Sequence, residues 1–148
     1  MKFKLRPYQE EASKKAVEFF LDEKKNWNAL EVLPTASGKS LILADIAARL
    51  KDKVLVFSPT KEILEQNYKK YCSYGFDNAS IYSASFKSKE ISDVTFATIG
   101  SVKGHPELFT DFKYILIDEV HLVKPESGMY KEFLDKLKSK VIGLTATP

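Results

Sequence analysis

A single cysteine, Cys72, stands in the 148 residues, so an internal disulfide and a cysteine-built zinc cluster are both excluded. Without a partner thiol, Cys72 is expected to be an inert, half-buried filler. Arginine is almost as scarce: Arg6 and Arg49 are the only two, whereas small-molecule kinases usually carry several as phosphate clamps. No apolar run reaches the roughly 18 residues that a membrane-spanning helix needs. The start, Met1-Lys2-Phe3-Lys4-Leu5-Arg6-Pro7, lacks the apolar stretch of a signal peptide. The expectation is a cytoplasmic chain, or one in an intracellular host compartment if viral, with no membrane partner. Internal repeats, low-complexity linkers and a second domain are also absent from the pattern.

What is present is the composition of a folding chain. Hydrophobic residues make up 44% and charged residues 29%, enough apolar material to offset ordering entropy. One compact domain over 1–148, behaving as a monomer, is the default for this length. The 23 basic and 20 acidic residues leave a net charge of +3; this fits a polyanionic partner without requiring one.

Hydrophobic patterning alternates helix and strand. After Pro7, the stretch Tyr8 to Asp22 carries Ala12, Ala16, Phe19 and Phe20 at helical spacing. Ala29–Leu33 reads as a strand, Ser40 to Leu50 as an apolar helix, Lys53–Phe57 as a strand, and Lys61 to Tyr74 as a helix stopped by Gly75. Val94–Thr98, Tyr114–Ile117 and Val141–Leu144 are further strands. Strands that are apolar on both sides are covered on both faces, so the fold class is α/β with a parallel sheet between helices. Ligands of such sheets gather at the carboxyl ends of the strands. Pro34–Ser40, Ser58–Thr60, Thr98–Ser101, Asp118–His121 and Thr145–Pro148 each follow a strand directly.

Two of these segments carry legible chemistry. Gly38-Lys39-Ser40 lies where a strand turns into a helix, so backbone amides and the helix amino end can face a phosphate chain, Lys39 can reach its outer phosphates and Ser40 can ligate magnesium. The full pattern wants a glycine five residues before Gly38, where Leu33 stands, and the other reading is a surface turn before a helix. Asp118 and Glu119 end the most apolar strand, where adjacent carboxylates are costly unless cations or water satisfy them. Phosphate-bound magnesium would do so, with Asp118 holding it through water and Glu119 orienting or deprotonating the attacking water. Alternation along an extended segment would send the two side chains to different sides. A helix cap plus a surface acid is the alternative.

Taken together, Leu5-Arg6-Pro7-Tyr8-Gln9, Pro34-Thr35-Ala36-Ser37-Gly38-Lys39-Ser40, Asp118-Glu119-Val120-His121 and Thr145-Ala146-Thr147-Pro148 resemble, in order, the Q motif and motifs I, II and III of superfamily 2 helicases. Within them the chain is similar to the DNA-directed ResIII type, which includes XPB-like and phage UvsW-like helicases. The resemblance implies the RecA-like P-loop NTPase fold, three α/β/α layers around a mainly parallel sheet, and an ATP- and Mg2+-dependent enzyme acting on DNA, with RNA as the alternative polymer. It implies that Gln9 with Arg6 reads adenine, that Pro34 to Ser40 hold the phosphates, and that Lys39, Asp118, Glu119 and His121 serve catalysis. It further implies that Thr145 and Thr147 relay nucleotide state. Ser58-Pro59-Thr60 with Gln66 resembles motif Ia and Thr98-Ile99-Gly100-Ser101 motif Ib, so Pro59, Thr60, Gln66, Thr98, Gly100 and Ser101 are expected against a nucleic-acid backbone, reading no bases.

The family's motors complete their site with an arginine from a second RecA-like lobe, which these residues lack. The expectation is a first lobe that binds nucleotide but hydrolyses poorly. Two alternatives stand beside it: another P-loop enzyme such as a nucleotide kinase or GTPase, although no Asn-Lys-x-Asp run reads guanine here, and a non-catalytic nucleic-acid-binding or assembly module. The aromatic set Tyr68, Tyr71, Tyr74 and Phe76 is expected to pack rather than to stack on bases. Lys87, Lys89, Lys103 and His105 are expected to be solvated or ordinary surface groups.

Overall fold

The structure is a computed structural model that describes residues 4–24, 29–32, 38–119 and 129–145. The expectations placed on Pro34, Thr35, Ala36, Ser37, His121 and Thr147 lie outside them.

The chain enters through α1 (Pro7–Leu21), with Pro7 in the first turn, where its missing N–H costs nothing. There follow β1 (Ala29–Val32), α2 (Lys39–Leu50), β2 (Val54–Phe57), α3 (Lys61–Cys72), β3 (Ala79–Ser83), β4 (Ser88–Lys89), β5 (Val94–Ala97), α4 (Ile99–Val102), β6 (Tyr114–Ile117), α5 (Met129–Asp135) and β7 (Lys140–Thr145). Among the described residues seven strands form one sheet in the order β1-β7-β6-β2-β5-β3-β4. Every pairing is parallel except β3 with β4.

Successive residues of a strand face opposite sides, and β2 shows what this builds. Val54 and Val56 join one apolar cluster with Ala16, Phe20, Ile42, Ile46, Leu64 and Tyr71 from α1, α2 and α3. Leu55 and Phe57 join another with Val102, Phe109, Phe112 and Phe133. Two cores flank one sheet, the three-layer α/β/α arrangement.

The register aligns the strand ends. Phe57 stands opposite Ala97 on one side and Ile117 on the other. The ladder runs one residue further, because the Ser58 N–H donates to Ala97 O at 3.1 Å and the Asp118 N–H to Phe57 O at 2.8 Å. Ser58 and Asp118 therefore leave the sheet at one level. Val32, at the end of β1, stands opposite Thr145.

The expected strands and long helices are found with ends shifted by one or two residues. Four elements were not expected. β3 and β4 are rich in serine, alanine and lysine and lack the apolar run that marks β2, β5 and β6; β3 is held between β5 and β4 at the sheet edge. α4 and α5, at 4 and 7 residues, are too short to display a helical period. The aromatic set packs as expected: Tyr71 is buried and stacks on Phe76 at 4.8 Å, and Tyr68 meets Phe96 edge-on at 5.7 Å. Cys72 is half-buried.

Candidate functional site

Gly38 is the amino cap of α2 and sits in the left-handed region, φ +74°. Such a conformation is open to glycine and strained for other residues. It also gives Gln9 room: a Cβ on Gly38 would lie 2.4 Å from Gln9 Nε2. Gln9 is buried, and its Oε1 accepts the Arg6 N–H at 2.9 Å while Arg6 itself is exposed. The amide expected to read a base is thus turned with its nitrogen toward Gly38.

Lys39 opens α2 and reaches the end of β6. Its Nζ lies 3.3 Å from Asp118 Oδ1 and pairs with Glu119 Oε1. Asp118 is only 3% exposed, so Lys39 supplies the compensating charge that a carboxylate at this depth requires. The expected divergence of Asp118 and Glu119 is corrected. Glu119 adopts φ +53°, which ends the strand's alternation and brings both carboxylates to the same ammonium. A left-handed non-glycine residue costs about 1–2 kcal/mol, and such strain collects at functional sites.

The sequence did not point to Asn67. It is buried on α3, where its Oδ1 accepts the Ser40 hydroxyl at 2.7 Å and its Nδ2 donates to Asp118 Oδ2 at 2.9 Å and to Ser58 Oγ at 3.2 Å. A signal existed. Asn67 falls three residues after Leu64 and four before Tyr71, the buried stripe of α3, and a polar side chain on such a stripe must have partners.

Cations and triphosphates can be weighed against these atoms. Lys39 Nζ and Asp118 Oδ1 are buried without a hydrogen bond of proper geometry, and buried polar atoms are normally satisfied. No cluster of three or more His, Cys, Asp or Glu suited to a metal occurs among the described residues. Magnesium takes one or two protein oxygens and completes its shell with phosphate and water. Ser40 and Asp118 are the oxygen donors at hand. Together with Lys39, Glu119, Asn67 and part of α3 they border a cleft of about 880 Å³, the size class of a ligand pocket.

A second group gathers beyond the ends of β2, β3 and β5. Thr60 caps α3 by accepting the Ile63 N–H at 3.2 Å. Thr98 Oγ1 lies 3.1 Å from Ser83 Oγ and 3.0 Å from Ser101 Oγ, and Ser101 Oγ accepts the Ala84 N–H. Gly100 is exposed, with open space where a Cβ would stand. The Lys61 ammonium lies over the Phe86 ring, tying α3 to the turn after β3. Ser83 was missed with its strand. Pro59 is half-buried beside Thr60. Gln66 stands apart from this group, exposed on α3 and bordering the Lys39 cleft. Thr145 is buried at the end of β7. Lys87, Lys89, Lys103 and His105 are exposed, and His105 lies 3.7 Å from Glu107.

Known proteins resemble this chain in sequence and fold. The family model described as "Type III restriction enzyme, res subunit" (ResIII) matches residues 2–148. The DNA 3'-5' translocase XPB2 of Sulfurisphaera tokodaii is 31% identical over 150 residues, covering 99% of this chain and 31% of that protein. The ATP-dependent DNA helicase Hel308 of Methanocaldococcus jannaschii is 30% identical over 167 residues, covering 97% of this chain and 14% of that protein. The chain therefore spans under a third of the length of these relatives. The crystal structure of the UvsW helicase from bacteriophage T4 superimposes with a TM-score of 0.77 at 24% identity, over 99% of this chain and 54% of that one. By the match across nearly its whole length, the chain belongs to the ResIII family and has the N-terminal RecA-like domain of superfamily 2 helicases.

Proposed function

We propose that this chain binds Mg-ATP in the cleft of Lys39 and serves as the ATP-binding lobe of a DNA helicase or translocase, with hydrolysis completed by a second RecA-like lobe. One observation carries the reading: a buried ammonium, Lys39, held against Asp118 and Glu119 where a helix begins beside the carboxyl end of the sheet.

In this reading the outer phosphates take the Lys39 ammonium, with the α2 amino end adding its partial positive charge. Ser40 and Asp118 would hold a magnesium ion, whose charge would offset that developing on the phosphates. Glu119, released from Lys39, orients the attacking water and takes its proton. Gln9 reads the adenine edge, and His121, Thr145 and Thr147 relay the nucleotide state. Thr60, Thr98, Gly100 and Ser101 hold one nucleic-acid strand by its phosphates, contacts that position without reading sequence. The named activities of XPB2 and Hel308 support DNA as the polymer.

The need for a second lobe rests on arginine. Arg49 is held by Asp45 at 2.6 Å and Glu10 at 3.3 Å, and Arg6 stands exposed at the amino cap position of α1. A missing arginine finger costs about 10³–10⁵ in rate. The test is ATP turnover with DNA by this chain alone and by the chain joined to a second RecA-like lobe. Turnover is expected only from the second. Equal DNA-stimulated turnover by the chain alone would contradict the requirement.

A further inference from the structure

The Asn67 amide lies between the two groups assigned to the metal, and its orientation is dictated chemically. An ionised carboxylate only accepts hydrogen bonds, so the side of Asn67 that faces Asp118 Oδ2 at 2.9 Å must be the NH2. The second Nδ2 proton goes to Ser58 Oγ at 3.2 Å, which uses both donors. Oδ1 is thereby turned toward Ser40 Oγ at 2.7 Å. Since Oδ1 has no proton to give, Ser40 must donate its only one.

Two consequences meet in the cleft. The Ser40 oxygen, with its proton committed to Asn67, keeps its lone pairs for a cation. Asp118 is tied to Asn67 through Oδ2, while its other oxygen, Oδ1, is the one that faces Lys39 and carries no hydrogen bond. One side chain thus sets the presentation of both oxygen donors. It does so from α3, whose buried face anchors Asn67 between Leu64 and Tyr71. The amino end of that helix is capped by Thr60, so the same rigid element runs from the proposed strand-binding edge to the metal donors.

We propose that Asn67 is a positioning residue for the metal ion of the triphosphate site, acting through Ser40 and Asp118 and touching neither phosphate nor metal itself. The proposal rests on the Mg-ATP reading above. Groups that orient metal donors in this way change metal affinity by about 10- to 100-fold when removed, and their loss leaves contacts made by other residues in place.

The experiment titrates the chain with a non-hydrolysable ATP analogue, once in EDTA and then at fixed analogue with increasing Mg2+, for the wild type, Asn67→Ala, Asn67→Ser and Lys39→Ala. In both Asn67 variants the Mg2+ concentration at half-maximal enhancement is expected to rise about 10- to 100-fold, while affinity in EDTA stays within about threefold, fewer than the tenfold that 1.4 kcal/mol represents. Lys39→Ala is expected to weaken binding in both conditions. A Mg2+ midpoint unchanged in either Asn67 variant overturns the proposal and leaves the Mg-ATP reading standing. Loss of EDTA affinity in step with the Mg2+ response also overturns it, since Asn67 would then be a general scaffold residue. A wild type that fails to bind, or a Lys39→Ala chain that binds as well as wild type, overturns the reading of the site and this proposal with it.

Discussion

Gln9 Nε2 occupies the space where Gly38 has no side chain, 2.4 Å from the position of an added Cβ. The first helix and the amino cap of α2 are thus fitted to each other through a glycine at φ +74°. Gly38→Ala should cost about 1–2 kcal/mol in backbone strain, beyond the cost of displacing Gln9. At about 2–4 °C per kcal/mol for a chain of this size, the melting temperature should fall by several degrees. Adding Gln9→Ala should relieve the clash and leave the strain, so Tm should return in part. An unchanged Tm in Gly38→Ala would remove the fitted contact.

Glu119 is predicted to serve turnover and not binding. With a second lobe supplied, Glu119→Gln should retain ATP-analogue affinity and lower kcat by about 10²–10⁴, the range for loss of a positioned proton acceptor. Measured kcat equal to wild type would take Glu119 out of the chemistry.

The hydroxyl chain of Ser83, Thr98 and Ser101 is predicted to grip phosphate. Thr98→Val should weaken DNA binding about 3- to 10-fold, the worth of one hydrogen bond of roughly 0.5–1.5 kcal/mol. The loss should be equal for unrelated sequences, and the dependence of affinity on salt should keep its slope, because a hydroxyl releases no counterion. A fluorescence-anisotropy series over salt and sequence checks both.

Much of the fold around this site is legible in the sequence. Tyr114–Ile117, with apolar residues throughout, had to be a covered strand, and Asp118 and Glu119 had to emerge from its end; Gly38-Lys39-Ser40 likewise had to open a helix. What could not be read was the meeting of distant polar groups. Asn67 joins Ser40, 27 residues away, to Asp118, 51 residues away, and no local pattern encodes that. The alternation rule failed at Glu119 because a single left-handed residue reverses a side chain's direction, and nothing in Asp-Glu announces it. The edge strand Ala79–Ser83 stayed hidden because its pairing to β5, more than its own propensity, makes it a strand.

Tyr130 gives the fold a pH signature. It packs edge-on against Phe57 at 5.3 Å, and burial pushes its phenol up to about 12, against about 10 for an exposed tyrosine. Between those values the unfolded chain releases a proton that the folded chain keeps, so stability falls as pH rises from about 10 to 12, with no contribution below. Tyr130→Phe should flatten this part of the stability–pH curve, measured by urea unfolding. An identical curve would show that the phenol is not held in its neutral form by the fold.

Whether Lys39 is the triphosphate's ligand is read by isothermal calorimetry of the folded chain with Mg-ATP. Saturable binding is expected from the wild type and at least a tenfold loss in Lys39→Ala, since a charge-assisted hydrogen bond is worth about 1.5–3 kcal/mol. Equal affinity of the two proteins for Mg-ATP would contradict it.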